Sequence, residues 1–169
     1  MTKVTGLLDQ AQAAYEQVLQ PGVDATQYGA PVQDVARLGL GETWLLRGNA
    51  LEENGQAAQA RDAYQQAIQI LQQTVAGFRG SDPQSARYLA QNHQYLGNAY
   101  QFSGYMSDVD RDFPAAIQAY QQATQEFNAC IAMSATTSDR VIVSDIVGDN
   151  CQPMLDATQK RLKKLQGGP

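Results

Sequence analysis

Apolar side chains along this chain recur at steps of three and four residues, the spacing that places them on one face of an α-helix. The clearest case is Ala60, Tyr64, Ala67 and Leu71. The same spacing, bounded by residues that start or stop helices, predicts helices over residues 7–20, 32–54, 57–78, 83–104, 113–134 and 151–166. The pattern therefore predicts an all-α protein with about six helices.

One long connection, residues 136–150, separates the last two predicted helices. It contains the run Val141-Ile142-Val143, and β-branched residues favour extended backbone. We therefore expect this run to lie extended against the last helices.

An internal repeat appears in RGNALEENG, residues 47–55, and LGNAYQFSG, residues 96–104, which begin 49 residues apart. Ala-Tyr pairs ending at Tyr15, Tyr64 and Tyr120 also recur, and their second interval is longer than their first by seven residues. We assign this excess to an insertion at 105–111. One two-helix unit therefore recurs, with an insertion at the turn of its second full copy.

Gly55 and Gly104 are predicted to end the first helix of each unit, because Gly adopts the left-handed conformation that closes a helix at little cost. Small residues allow helix backbones to approach, and aromatic side chains fill the volume around them. The residues that we assign to this packing are Trp44, Gly48, Ala60, Tyr64, Ala67, Gly97, Tyr100, Ala116, Tyr120 and Ala123.

These positions resemble the tetratricopeptide repeat, which places a Trp, a Leu-Gly pair and a Tyr on its first helix, a Gly at the turn, and Ala, an aromatic residue and Ala on its second. The matching residues are Trp44, Gly48, Leu51, Gly55, Ala60, Tyr64 and Ala67, then Leu96, Gly97, Tyr100, Gly104, Ala116, Tyr120 and Ala123. Arg47 stands where the pattern has Leu, and the interval between the units is longer than the family's roughly 34 residues. The resemblance implies a right-handed α-α superhelix, a solenoid of helix pairs.

We expect a single domain over residues 1–169. Its parts are a half repeat, 7–20, two repeats, 32–78 and 83–134, and a capping helix, 151–166. Counting back one interval from Gly55 reaches Gly6, so the first unit lacks its first helix. Two explanations stay open: excision from a longer repeat protein, or a first helix that acts as an N-terminal cap.

The net charge of −5, from 12 basic and 17 acidic residues, disfavours nucleic acid and anionic membranes as partners. Four basic residues fall in KRLKK, residues 160–164, where we expect a solvated face near a helix C-terminus. No apolar run reaches the roughly 18 residues that a membrane span needs. We therefore expect neither nucleic acid nor membrane as a partner.

His93 is the only histidine and lies 49 residues after Trp44, so we expect it to pack between helices rather than act in catalysis. Asp108, Asp110 and Asp112 alternate as in a calcium loop but lack its Gly and bidentate Glu. We interpret them as a solvated loop with a helix cap. No motif for catalysis or phosphate binding is present, so we expect neither enzymatic activity nor a cofactor or metal.

Cys130 and Cys151 fall near the end of one predicted helix and the start of the next. A chain reversal between them would allow a disulfide, and two buried free thiols are the alternative. The compartment stays unknown. It is cytoplasmic by default and extracytoplasmic if the disulfide forms and a signal was removed.

In tetratricopeptide proteins, the first helices of the repeats line a concave groove that binds an extended peptide or a partner helix. The resemblance implies that this groove is lined by Leu45, Asn49, Glu52, Glu53, Gln94, Asn98, Gln101 and Phe102. Its acidic and amide side chains favour a neutral or basic partner segment over an acidic one. We therefore expect a non-enzymatic protein-interaction scaffold.

Two alternatives come from other classes. One is a structural spacer or oligomerisation segment of a larger repeat protein, which would associate through an exposed terminal helix. The other is an enzyme or small-molecule binder, which would need convergent polar groups around His93 or Tyr105.

Overall fold

The computed structural model describes residues 2–22, 32–78 and 83–167, and its described part is helical without strands. The all-α prediction is confirmed. The α-helices are α1, Thr2–Val18; α2, Val32–Glu53; α3, Ala57–Gly77; α4, Pro83–Val109; α5, Phe113–Ser134; and α6, Gln152–Gln166, with a π-helix over Val141–Cys151. The chain divides into two compact units, Met1–Tyr88 and Leu89–Pro169. Each unit is described by itself.

In the first unit, two glycines of α2 allow α3 to approach closely. A Cβ added at Gly48 would overlap the ring of Tyr64, and one added at Gly41 would lie 2.5 Å from Leu71 Cδ2. Tyr64 and Leu71 have no exposed surface. Elsewhere on α2, Gly39 packs in the same way against an aromatic ring of α1.

In the second unit, α4 and α5 pack on the same plan. A Cβ at Gly97 would lie 2.6 Å from Phe127 Cε1, and one at Gly104 would lie 3.0 Å from Tyr120 Cδ1. Phe127 has no exposed surface and Tyr120 is buried. A pair of glycines on the first helix of this hairpin therefore accommodates two large side chains of the second.

These contacts relate the two hairpins by one alignment, which we call the long register. It places Gly97 at the position of Gly41 and Gly104 at that of Gly48. The same alignment pairs Tyr64 with Tyr120, so it accounts for the longer of the two intervals between the Ala-Tyr pairs. The long register therefore matches both glycine contacts of each hairpin.

The long register corrects the predicted one, which aligned Gly48 with Gly97 and which we call the short register. Both α2 and α4 carry two glycines seven residues apart, Gly41 and Gly48 and then Gly97 and Gly104. Two such pairs can also be aligned with a shift of seven residues, so that only one glycine of each pair matches. The short register is this shifted alignment, and it differs from the long register by two helical turns. No insertion is needed at 105–111, since residues 105–109 continue α4.

The turn of each hairpin confirms the long register. Gly55 has φ of 73°, and the residue at its place in the second hairpin is Arg111, with φ of 62°. In the first turn, the amides of Gly55 and the next residue donate to carbonyls three and five residues earlier, at 2.8 and 2.9 Å. In the second turn, the amides of Arg111 and Asp112 make the same two bonds, at 3.0 and 2.9 Å.

Both turns are thus Schellman motifs, which satisfy the last carbonyls of a helix. The prediction for Gly55 agrees with its positive φ. The prediction that Gly104 ends its helix is wrong, because Gly104 lies inside α4 and its missing side chain makes room for Tyr120.

The prediction of an extended run at Val141–Val143 is also wrong, because Val141–Cys151 is a π-helix that leads directly into α6. Its buried residues are Ile142, the adjacent pair Ile146 and Val147, and Cys151. The pair lies four and five residues after Ile142 and five and four residues before Cys151, which suits the i→i+5 hydrogen bonds of a π-helix. Burial on one face therefore outweighs the extended preference of the β-branched run.

Cys130 and Cys151 form a disulfide with a Cα–Cα distance of 6.4 Å, so the free-thiol alternative is wrong. It links α5 to the end of the π-helix, and both cysteines have no exposed surface. Because the sulfurs are inaccessible to solvent, we assign this disulfide a structural role.

Candidate interaction site

The predicted groove residues differ in what they contact. Leu45 and Gln94 are buried, with 4% and 8% of their surfaces exposed, which corrects their assignment to a partner-binding surface. Glu53 is exposed, while Asn98 and Phe102 are half-buried. Another groove candidate on α4, Gln101, donates its amide to a hydroxyl of α6 at 2.8 Å.

Asn49 and Glu52 hold a buried hydroxyl inside the first hairpin. The Tyr64 Oη lies 2.9 Å from Asn49 Oδ1 and 2.9 Å from Glu52 Oε2. A hydroxyl has one hydrogen, so Tyr64 donates to one of these two oxygens at a time. Burial, the hydrogen bond to Glu52 and nearby carboxylates raise the pKa of Tyr64. The polar ends of Asn49 and Glu52 thus face Tyr64.

A stripe on the outer surface of α2 offers a more accessible surface. Leu46 is 47% exposed and shares a helix face with Glu42, Asn49 and Glu53, which lie at steps of four, three and seven residues. We call these four residues the α2 stripe. It places one apolar side chain beside two carboxylates, and Asn49 borders it with its amide turned toward Tyr64.

Sequence reasoning missed Leu46 by one position. Leu45 follows Leu38 by seven residues and therefore shares the buried face of α2. A helical wheel centred on the glycines that pack against α3 places Leu46 on the side of α2 that faces away from α3. The exposure of Leu46 could therefore have been predicted from the sequence.

In the second unit, the C-terminal end of α4 carries a different set of side chains from the C-terminal end of α2. Tyr105, Asp108, Val109, Tyr120 and Arg161 line a cleft of about 420 Å³. The Arg161 guanidinium donates to the buried Asp108 carboxylate, and this hydrogen bond raises the pKa of Arg161. Burial and the charge of Asp108 raise the pKa of Tyr120. Asp108 is therefore an ion-paired residue rather than part of a solvated loop.

A second open cleft lies beside α2 and α3 in the first unit, lined by Trp44, Arg47 and Leu51 from α2 and by residues of α3. Arg47 stacks over the Trp44 ring at 5.1 Å and donates to Asp9 of α1 at 2.7 Å. The Arg47 side chain thus links α2 to α1. Trp44 is only half-buried.

The remaining candidate residues have structural contacts. His93 Nδ1 lies 2.8 Å from Glu126 Oε2, which joins α4 to α5. The Asp112 side chain accepts a hydrogen bond from the Ala115 amide at 3.2 Å and caps α5. Among the described residues, no group of three or more His, Cys, Asp or Glu side chains could hold a metal, and no described helix is long and apolar enough to span a membrane.

Comparison with protein-family models gave no match, and comparisons with curated proteins and with solved structures gave none either. The tetratricopeptide assignment therefore stays a prediction. It rests on the matching positions of the first unit and on Ala116, Tyr120 and Ala123, since Gly104 lies inside α4 and not at the turn that the pattern requires.

Proposed function

We propose that this chain is a non-enzymatic protein-interaction scaffold of the tetratricopeptide kind, a right-handed superhelix of helix pairs. It binds a peptide segment or a partner helix along its concave groove. In the first unit, the α2 stripe is the part of that groove which contacts the partner.

The exposed Leu46 is the observation that carries this proposal. The helix pair packs through Gly41, Gly48, Tyr64 and Leu71, so the hairpin does not need an apolar side chain on the outside of α2. Covering the exposed half of a Leu stabilises a complex by about 1 kcal/mol. An apolar anchor in a polar setting is typical of an interface centre.

The charges of the α2 stripe define the partner. Glu42 and Glu53 flank Leu46 on the same face, and Glu53 is exposed while Glu42 is half-buried. A segment with an apolar side chain next to Lys or Arg complements this surface, whereas an acidic segment is repelled. We therefore propose a neutral or basic partner.

A selection from random phage-displayed peptides tests the proposal. We expect the recovered peptides to combine apolar residues with Lys or Arg, and Leu46→Glu to weaken their binding about fivefold or more in fluorescence anisotropy. Leu7→Glu is the matched control, because Leu7 is 61% exposed on α1, and it should leave binding unchanged. The proposal fails if no peptide is enriched, or if the two variants bind equally well.

The exposed Leu7 also favours a second function, that of a spacer or oligomerisation segment which associates through α1. This function predicts a mass above 18.4 kDa in light scattering that falls to the monomer value for Leu7→Glu. A monomer at all concentrations would exclude it.

A further inference from the structure

The connection between α5 and α6 is a helix of an uncommon kind. The π-helix Val141–Cys151 has 11 residues, whereas π-helices are rare and appear mostly as single turns within α-helices. A π-helix of this length therefore needs support from outside the segment.

The buried face of this segment exists only in π-helical geometry. Ile142 and Cys151 are both buried and lie nine residues apart. Nine residues are about two and a half turns of an α-helix, which would place the two side chains on opposite sides. They are about two turns of a π-helix, which places the side chains on the same side. Fixing Cys151 inside the unit therefore favours the π-helix, because an α-helix would then expose Ile142.

The disulfide is the contact that fixes Cys151. It joins Cys130 of α5 to Cys151 over a sequence separation of 21 residues, and the chain has no other cysteine. Cross-linking a loop of this size favours the folded state about a hundredfold. Because α6 begins at the next residue, Gln152, the disulfide also sets the start of α6. From there α6 reaches α4, where the Gln101 amide donates to the Thr158 hydroxyl at 2.8 Å.

We propose that this chain folds and works in an oxidising compartment, because oxidation of Cys130 and Cys151 sets the π-helix and the start of α6. The two thiols lose two protons and two electrons as the S–S bond forms. A disulfide of a thiol–disulfide oxidoreductase or of glutathione accepts them and becomes two thiols. Disulfides form and persist in extracellular, endoplasmic and periplasmic spaces, whereas glutathione and thioredoxin keep cytosolic thiols reduced.

The burial of both sulfurs distinguishes this folding role from a reversible redox switch. Exchange begins when a thiolate attacks an accessible sulfur, and neither Cys130 nor Cys151 has exposed surface. Oxidation must therefore take place before the second unit closes, and reductants reach the disulfide only when this unit opens. The inference does not depend on what the chain binds, so it and the proposed function can fail separately.

The state of the thiols in the cells that make the protein tests the compartment directly. The cells are quenched in acid, and free thiols of the denatured protein are tagged with a polyethylene-glycol maleimide, which slows each tagged chain in electrophoresis. We expect no tag unless the protein is first reduced with dithiothreitol, and a tag on both cysteines after that reduction. Tagging without reduction would overturn the proposal.

Reduction of the purified full chain tests the order of oxidation and folding. The protein is incubated with dithiothreitol with and without urea, iodoacetamide then blocks the freed thiols, and mass spectrometry measures the modified fraction. We expect reduction without urea to be at least about a hundredfold slower, since the sulfurs react only after the unit opens. Equal rates would show an accessible disulfide and contradict a folding role.

Hydrogen exchange followed by NMR tests whether the π-helix depends on the disulfide. In the Cys130→Ala, Cys151→Ala double variant, amides of residues 146–151 should speed up at least about tenfold more than those of α5. Gly97→Ala is the matched control, because it strains the packing against α5 in the same unit but keeps the disulfide. It should speed up both regions equally.

Loss of protection throughout the second unit of the double variant would equally show that folding requires the disulfide. An unchanged ratio between residues 146–151 and α5 would show that the π-helix forms without oxidation, and the proposal would be wrong.

Discussion

Replacing Arg111 by Gly should stabilise this protein. Arg111 has φ of 62°, and a non-Gly residue in this conformation costs about 1–2 kcal/mol. Glycine removes that cost but adds freedom to the unfolded chain, which offsets about 0.5–1 kcal/mol. The Arg111 side chain is exposed, so its loss removes little packing. We expect a net gain of about 0.5–1 kcal/mol.

Urea unfolding followed by circular dichroism measures this gain, and the melting temperature should rise by about 2–3 °C. Arg140→Gly is the matched control, because Arg140 is an exposed arginine with φ of −60°. Its replacement should lower the free energy of unfolding by about 0.5–1 kcal/mol. If Arg111→Gly also destabilises the protein, then Arg111 is not left-handed and the turn lies elsewhere.

Three further predictions concern the packing. Replacing Cys130 and Cys151 together by Ala should lower the free energy of unfolding in urea by about 3 kcal/mol, since the disulfide closes a loop with a separation of 21 residues; an unchanged midpoint would contradict this. Gly97→Ala should lower the melting temperature at a cost of about 1–3 kcal/mol, because its Cβ would lie 2.6 Å from a ring carbon of Phe127; unaltered melting would contradict this. Burial raises the pKa of the Tyr64 hydroxyl. The contribution of this group to the free energy of unfolding is therefore present below about pH 10 and is lost above it, by about 1.4 kcal/mol per pH unit. In urea titrations at rising alkaline pH, the free energy of unfolding of Tyr64→Phe should fall correspondingly less steeply.

Helix content was predictable because apolar residues keep a helical period over each element. The packing glycines were also recognisable, since a small residue opposite a large aromatic one is a strong pattern. The register was not, because Gly41 and Gly48 are seven residues apart, as are Gly97 and Gly104. The contacts with α3 and α5 and the positions of the two turns distinguish the short register from the long one.

The candidate site was predicted less well than the fold. The resemblance placed the candidate site on α2, the helix that carries the α2 stripe, but chose Leu45, which lies on the buried face of this helix. The cleft in the second unit was missed because the short register assigned Tyr105 and Val109 to an inserted loop. The exposure of Tyr105 and Val109 is informative only when they are compared with Asn49 and Glu53, which occupy the same positions in the first hairpin.

The long register underlies the account of the fold, and one measurement tests it directly. In the nuclear Overhauser spectrum of the folded protein, the Gly97 Hα protons should show cross-peaks to the ring of Phe127, and those of Gly104 to the ring of Tyr120. Cross-peaks from Gly97 to the ring of Tyr120 instead would restore the short register and contradict the account.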